Sequence, residues 1–150
     1  MNQIRGGNGD GNGSGGEKDE TSSELCEQEG IWDIFISAAS DIRGILAWIE
    51  LSITDQNVDP ALMNHNLNLL RDIWIALSNV RPHMISQHPD THQLYSITMR
   101  LFGELRLHLD HDITYISDPN SALVISRMLT IYKPLLSTIH SNIYYISDTL

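Results

Sequence analysis

Between Ile31 and Ile53 the chain reads IWDIFISAASDIRGILAWIELSI, with apolar or small residues recurring every three or four places. At that spacing Ile31, Phe35, Ala38, Ile42, Ile45, Ile49 and Ser52 share one face of a helix. Trp32, Ile36, Ala39 and Leu46 widen the face, while Asp33, Ser37, Asp41, Arg43 and Glu50 lie mostly away from it. A stripe this wide cannot stay in water and has to be covered by other helices. Any fold open to this chain must therefore supply those helices.

Three later stretches do so. Leu62, Leu69, Leu70, Ile73, Ala76, Leu77 and Val80 form a stripe over 60–80. Asp59-Pro60 opens that helix as an N-cap followed by proline at the first helical position, where the missing N–H costs nothing. Arg81-Pro82 closes it, and 81–89 reads as a proline-bounded loop. Asp90-Thr91-His92-Gln93 has the form of a capping box. It opens a third helix whose buried face is Tyr95, Phe102, Leu105, Leu109, Ile113 and Ile116, ending near Ser117. Asp118-Pro119 repeats the cap-plus-proline signal and starts a fourth helix. Its stripe is Val124, Met128, Ile131, Leu135, Ile139, Ile143 and Ile146, and Pro134 predicts a kink or break near Lys133. With short loops and no sustained alternation, the expected architecture is an all-α antiparallel four-helix bundle over residues 30–150.

Residues 1–29 are different in kind. GGNGDGNGSGG (6–16) has little side-chain surface to bury, and acids follow it: 1–29 holds seven acidic residues against two basic ones. The composition predicts a disordered acidic, Gly-rich tail.

The formal net charge of −10 and the scatter of nine Lys and Arg argue against nucleic acid and against anionic membrane surfaces. One cysteine, Cys26, excludes an internal disulfide and a Cys-based zinc site. Its acidic neighbours Glu24, Glu27 and Glu29 disfavour a thiolate. The polar N-terminus is no signal peptide, and no apolar run approaches the ~20 residues of a membrane span. A soluble intracellular chain is the expectation.

Among chemical constellations, Glu104, His108 and His111 are spaced four and three apart, so they share a helix face and could offer three metal ligands. His83, His88 and His92 cluster around the proline loop in no defensible ligand spacing. No Gly-x-Ser-x-Gly elbow or nearby Cys–His pair exists from which to assemble a nucleophile. Gly44 and Trp48, four apart on the first helix, make a notch beside a knob, which suits a helix–helix interface.

Gly9-Asp10-Gly11-Asn12-Gly13-Ser14 is similar to a Gly-Asp-x-Gly phosphate loop with its second Gly one place late. Leu70-Arg71-Asp72-Ile73-Trp74 and Ser141-Asn142-Ile143 fit second-helix and closing-helix patterns of the same proteins. Ser117-Asp118-Pro119-Asn120-Ser121, with Arg127 beyond it, stands where they have a Pro-Gly-Gly-Ser turn and an arginine helix. In this order of pieces the chain resembles the trimeric cob(I)alamin adenosyltransferases of propanediol-utilisation type. The resemblance implies a helical scaffold with Gly9, Asp10, Gly13 and Arg127 toward a nucleotide or corrinoid. The family's run of arginines is replaced by Thr130-Ile131-Tyr132-Lys133-Pro134-Leu135, so adenosyl transfer is not implied. Phe35 to Arg43 also resembles the phosphoacceptor helix of sensor histidine kinases with its histidine deleted, which implies no phosphotransfer.

The expected function is accordingly a non-enzymatic helical interaction protein. It would bind a protein partner or itself through an apolar helix face, with no cofactor required. A degenerate adenosyltransferase-like nucleotide- or corrinoid-binding protein and a helical metal-binding protein are the alternatives.

Overall fold

A computed structural model describes the backbone of residues 16–80, 85 and 88–150, and within them the side chains from Gly30 onward. The helices are α1 (Gly16–Asp55), α2 (Pro60–Ser78), α3 (Pro89–Tyr115), and a final run divided into α4 (Ala122–Arg127), a π turn (Met128–Tyr132) and α5 (Lys133–Thr149). The all-α bundle expected from the stripes is what forms, with no strand among the described residues. The backbone of α1 is drawn from Gly16. Residues 1–15 and the side chains of 16–29 lie outside the described residues; the backbone of 16–29, expected to belong to the tail, is the first part of α1.

α1 buries the face its spacing predicts: Ile31, Phe35, Ala38, Ile42, Ile45, Ile49 and Ser52 are all inside. It ends in a left-handed residue, Gln56 at φ 53°, where glycine is commonest. The Asn57 N–H then reaches back to the Ser52 carbonyl at 3.2 Å and closes the helix end. At α2 the expected cap holds: Asp59 Oδ1 accepts from the N–H of Ala61 at 2.9 Å, and Pro60 sits in the first turn.

Two expected helix starts are displaced. α3 begins at Pro89 with His88 as its cap residue, two positions before the Asp90 cap of the capping box reading, because Pro89 takes the first helical position and leaves Asp90 in the first turn. Asp118-Pro119 forms a turn instead of a helix start. Asp118 Oδ1 accepts from Asn120 N–H at 3.0 Å, and the cap of α4 is Ser121. The Asn120 side chain reaches away from its own turn. Its Oδ1 accepts the Val58 N–H at 2.5 Å, which ties this loop to the α1–α2 turn.

At Pro134 the helix does not break: the run passes through a π turn straight into α5. The π turn just upstream gives Lys133 N–H an acceptor five residues back, at Met128. The wider turn accommodates a proline that lacks an N–H and crowds the carbonyl four residues before it. The added residue moves the buried stripe: Tyr132 and Leu136 go inside, while Ile131 and Leu135, expected there, are only partly covered.

α5 packs closely against both α1 and α3, whereas α2 is held mainly by α1 and touches α3 sparingly. Lys133 Nζ pairs with Glu50 Oε1 at 2.7 Å across the α1–α5 seam. The Tyr95 hydroxyl donates to the Leu77 carbonyl at 2.6 Å and joins the start of α3 to the end of α2, while its ring meets Phe35 edge-on. Burial raises the Tyr95 pKa, which keeps that donor protonated.

Ala122–Thr149 is long and apolar enough to cross a membrane by length and composition, although no apolar run of that length was expected. The difference lies in averaging. Charged Arg127 and Lys133 and several Ser, Thr, His and Asn residues interrupt the run, yet its Ile, Leu, Val and Met keep the mean over a window apolar. In the bundle its Val124, Met128, Leu136, Ile139, Ile143 and Ile146 line the core.

Candidate functional site

Two features of the surface and interior could carry chemistry: a polar cluster where α3 meets the π turn, and an open seam between α2 and α3.

The cluster is centred on Asp112, a residue the stripe did not mark. Periodicity assigns Ile113 to the core of α3, yet Asp112 is buried to 4% exposure and Ile113 is 55% exposed. Asp112 can be inside because donors reach it from the next helical run. Arg127 Nε and the Tyr132 hydroxyl both donate to Oδ2, and His111 Nδ1 lies 3.2 Å from Oδ1. Arg127 also extends Nη2 to His108 Nδ1 at 3.3 Å, which makes that nitrogen the acceptor and leaves its proton on Nε2.

Burial pushes the Asp112 carboxyl up, but the hydrogen bonds from Arg127, Tyr132 and His111 outweigh it, and the group ends below the usual carboxylate range. The bond to Asp112 raises Arg127 in turn. Burial first and the Asp112 carboxylate second push the Tyr132 phenol well above its ordinary value. At neutral pH this is a carboxylate, a guanidinium and a neutral phenol, each satisfied by the others. Three donors occupy most of the carboxylate's acceptor positions and the group is buried, which keeps a substrate's proton from reaching it. The cluster is a clamp holding α3 against the π turn.

This geometry decides where several expected site residues stand. Glu104 and His111 are exposed and His108 turns to Arg127, so the three are not brought together. Among the described residues no group of three His, Cys, Asp or Glu side chains is arranged to hold a metal ion. Arg127, which the adenosyltransferase resemblance assigns to a nucleotide, has its guanidinium engaged by Asp112 and His108. Gly9, Asp10 and Gly13 lie outside the described residues. Gly44 is exposed and a Cβ built on it meets nothing within 4 Å, so it marks no close helix approach within the chain. Trp48 is half-buried against the core, facing Met63 and Leu67 of α2.

Beneath Trp48 lies an apolar cavity of about 20 Å³ bordered by Ile45, Leu70, Leu105 and Met128. That is room for about one water, with only apolar walls to hold it, so it is a packing gap and not a ligand site.

The α2–α3 seam is larger, a groove of about 200 Å³. Leu70 and Leu109, both buried, form its floor, and Leu67 and Ile113 flank it. Arg71 and Arg106 also line it, with Asn64, Asn68 and Asp110. Arg106 lies 4.5 Å over the ring of Trp74 on α2 instead of turning to Asp110, four residues further along its own helix. Arg71 has only a long 3.5 Å contact to Asn68. Among the described residues neither guanidinium pairs with a carboxylate. The groove exists because α2 buries a narrow face, Asn66, Leu70, Ile73 and Leu77, most of it turned toward α1. Sequence periodicity identifies the apolar residues of both helices but not that these two helices stay apart.

Fold and site together define the class: an all-α bundle with a closed polar clamp at one seam and an open, partly apolar groove at another. No protein-family model matches the chain, and no curated protein or solved structure matches it.

Proposed function

We propose that the chain is a helical interaction protein that docks a protein partner on the face between α2 and α3. The supporting observation is the open seam itself. Two neighbouring helices leave between them a groove of about 200 Å³ with a leucine floor and Ile113 standing exposed at its side. That volume is below the ~300–1,000 Å³ of small-molecule sites, and it suits one or two anchor side chains of a larger partner. Helix-in-groove recognition uses this form: apolar anchors give affinity and the rim gives specificity. The saturated state of the Asp112 clamp favours binding over catalysis.

Site-directed photo-crosslinking is the test. A crosslinking residue at Ile113 should trap a discrete partner band, and Leu67→Asp should abolish it. The same residue at Ser141, on exposed α5 surface, should trap none. Equal capture from both positions would show that the groove has no privileged role.

A further inference from the structure

We infer that the α2–α3 groove receives an acidic amphipathic helix: two aliphatic anchors one turn apart over Leu70 and Leu109, and a carboxylate one turn further on between Arg71 and Arg106. The inference rests on the interaction role above and names the chemistry of the partner.

Length comes first. The groove is lined by α2 between Asn64 and Arg71 and by α3 between Arg106 and Ile113. Seven residues of helix rise roughly 10 Å, which is two turns. A docked helix presents side chains three or four residues apart at about 5–6 Å, so two anchors and one flanking residue fill that length.

Charge comes second. The chain carries nineteen acidic residues against nine Lys and Arg. Of the described cations, Arg127 is held by Asp112 and Lys133 by Glu50. Arg71 and Arg106, from two helices, line the same partly apolar groove, and neither pairs with a carboxylate among the described residues. Asp110 is the one acid lining the groove, against these two arginines. Trp74 holds Arg106 in place before any partner arrives, which lowers the ordering cost of binding. A guanidinium pair in that position selects a carboxylate and rejects a cation.

The test uses the full chain and a synthetic helical peptide of ~15 residues, long enough to hold its helix. The peptide carries Leu at two positions four apart and Glu four residues beyond. A second peptide has Lys in place of that Glu. Binding is followed by fluorescence anisotropy, and the site by methyl NMR shifts of Leu67, Leu70, Leu109 and Ile113. The Glu peptide should bind at least ~10-fold more tightly than the Lys peptide, weaken with added salt, and move those methyls. Arg71→Glu with Arg106→Glu should reverse the preference between the two peptides. If that variant misfolds by circular dichroism, Ile113→Asp on the exposed wall should abolish binding of the Glu peptide instead.

Equal binding of both peptides, binding of neither, or shifts away from the groove would each overturn the inference. So would groove shifts that grow with protein concentration without peptide, because the occupant would then be a second copy of the chain. If neither peptide binds while the Ile113 crosslink still traps its partner, the acidic-helix inference fails and the interaction role stands.

Discussion

Asp112→Asn is the perturbation that most directly tests how this bundle is held. The change keeps the shape and removes the charge. An amide oxygen in the place of Oδ2 can still accept from Arg127 and Tyr132, but an amide nitrogen in the place of Oδ1 cannot accept from His111. The Arg127 guanidinium then loses its counter-charge in a setting where Asp112 is almost wholly buried. Removing one partner of a buried pair costs about 3–5 kcal/mol. The Arg127 side chain is 21% exposed and can recover part of that from water, so the lower end, about 3 kcal/mol, is expected here. At roughly 2–4 °C per kcal/mol for a chain of this size, the thermal midpoint should fall by about 6–12 °C.

The pH dependence follows from the same bonds. The folded carboxyl titrates below its unfolded value of about 3.9. Its contribution is therefore complete above that pH and is lost as the pH falls through the folded value. Wild-type melts at pH 7, 5, 4 and 3 should show the loss at the acid end, and Asp112→Asn should flatten that part of the curve. The double change Asp112→Asn with Arg127→Met should cost less than the sum of the two single changes. A drop under ~0.5 kcal/mol at neutral pH, within the range of ordinary surface substitutions, would refute the clamp.

Three further outcomes are expected. Trp48→Glu should lower stability by at least ~2 kcal/mol, since the ring packs on the core against Met63 and Leu67; a variant with an unchanged midpoint and altered sedimentation would return Trp48 to an intermolecular interface. Gly44→Ala should raise stability by about 0.5–1 kcal/mol, because the helix gains a better former and the added methyl meets open space; a lower midpoint in urea would contradict this. His140 Nε2 is buried without a hydrogen-bond partner in the protein, and burial and then the Arg43 charge lower its pKa. The folded imidazole thus titrates below the unfolded ~6.5, so stability is full above that pH and declines as the pH falls through the folded value; His140→Leu should remove the decline between pH 7 and 5, and an identical slope in the variant would refute it.

The sequence by itself determined the class of fold, because a helical stripe is a local property that must be buried whatever covers it. Every residue of the Ile31–Ser52 stripe is inside, and Asp59-Pro60 caps α2 by bonds within its own turn. Contacts between residues distant along the chain decided the rest. Asp112 and Ile113 are both compatible with the spacing of α3, and Arg127 and Tyr132, from the next helical run, chose the acid for the interior. Asn120 left its own turn to serve Val58, which moved the start of α4 to Ala122. The π turn before Pro134 put Tyr132 and Leu136 inside in place of Ile131 and Leu135, while Ile139, Ile143 and Ile146 stayed in the core. The groove was least legible of all. Its residues are ordinary stripe and surface positions, and it forms where α2 packs more on α1 than on α3, a spacing between helices that no local pattern encodes.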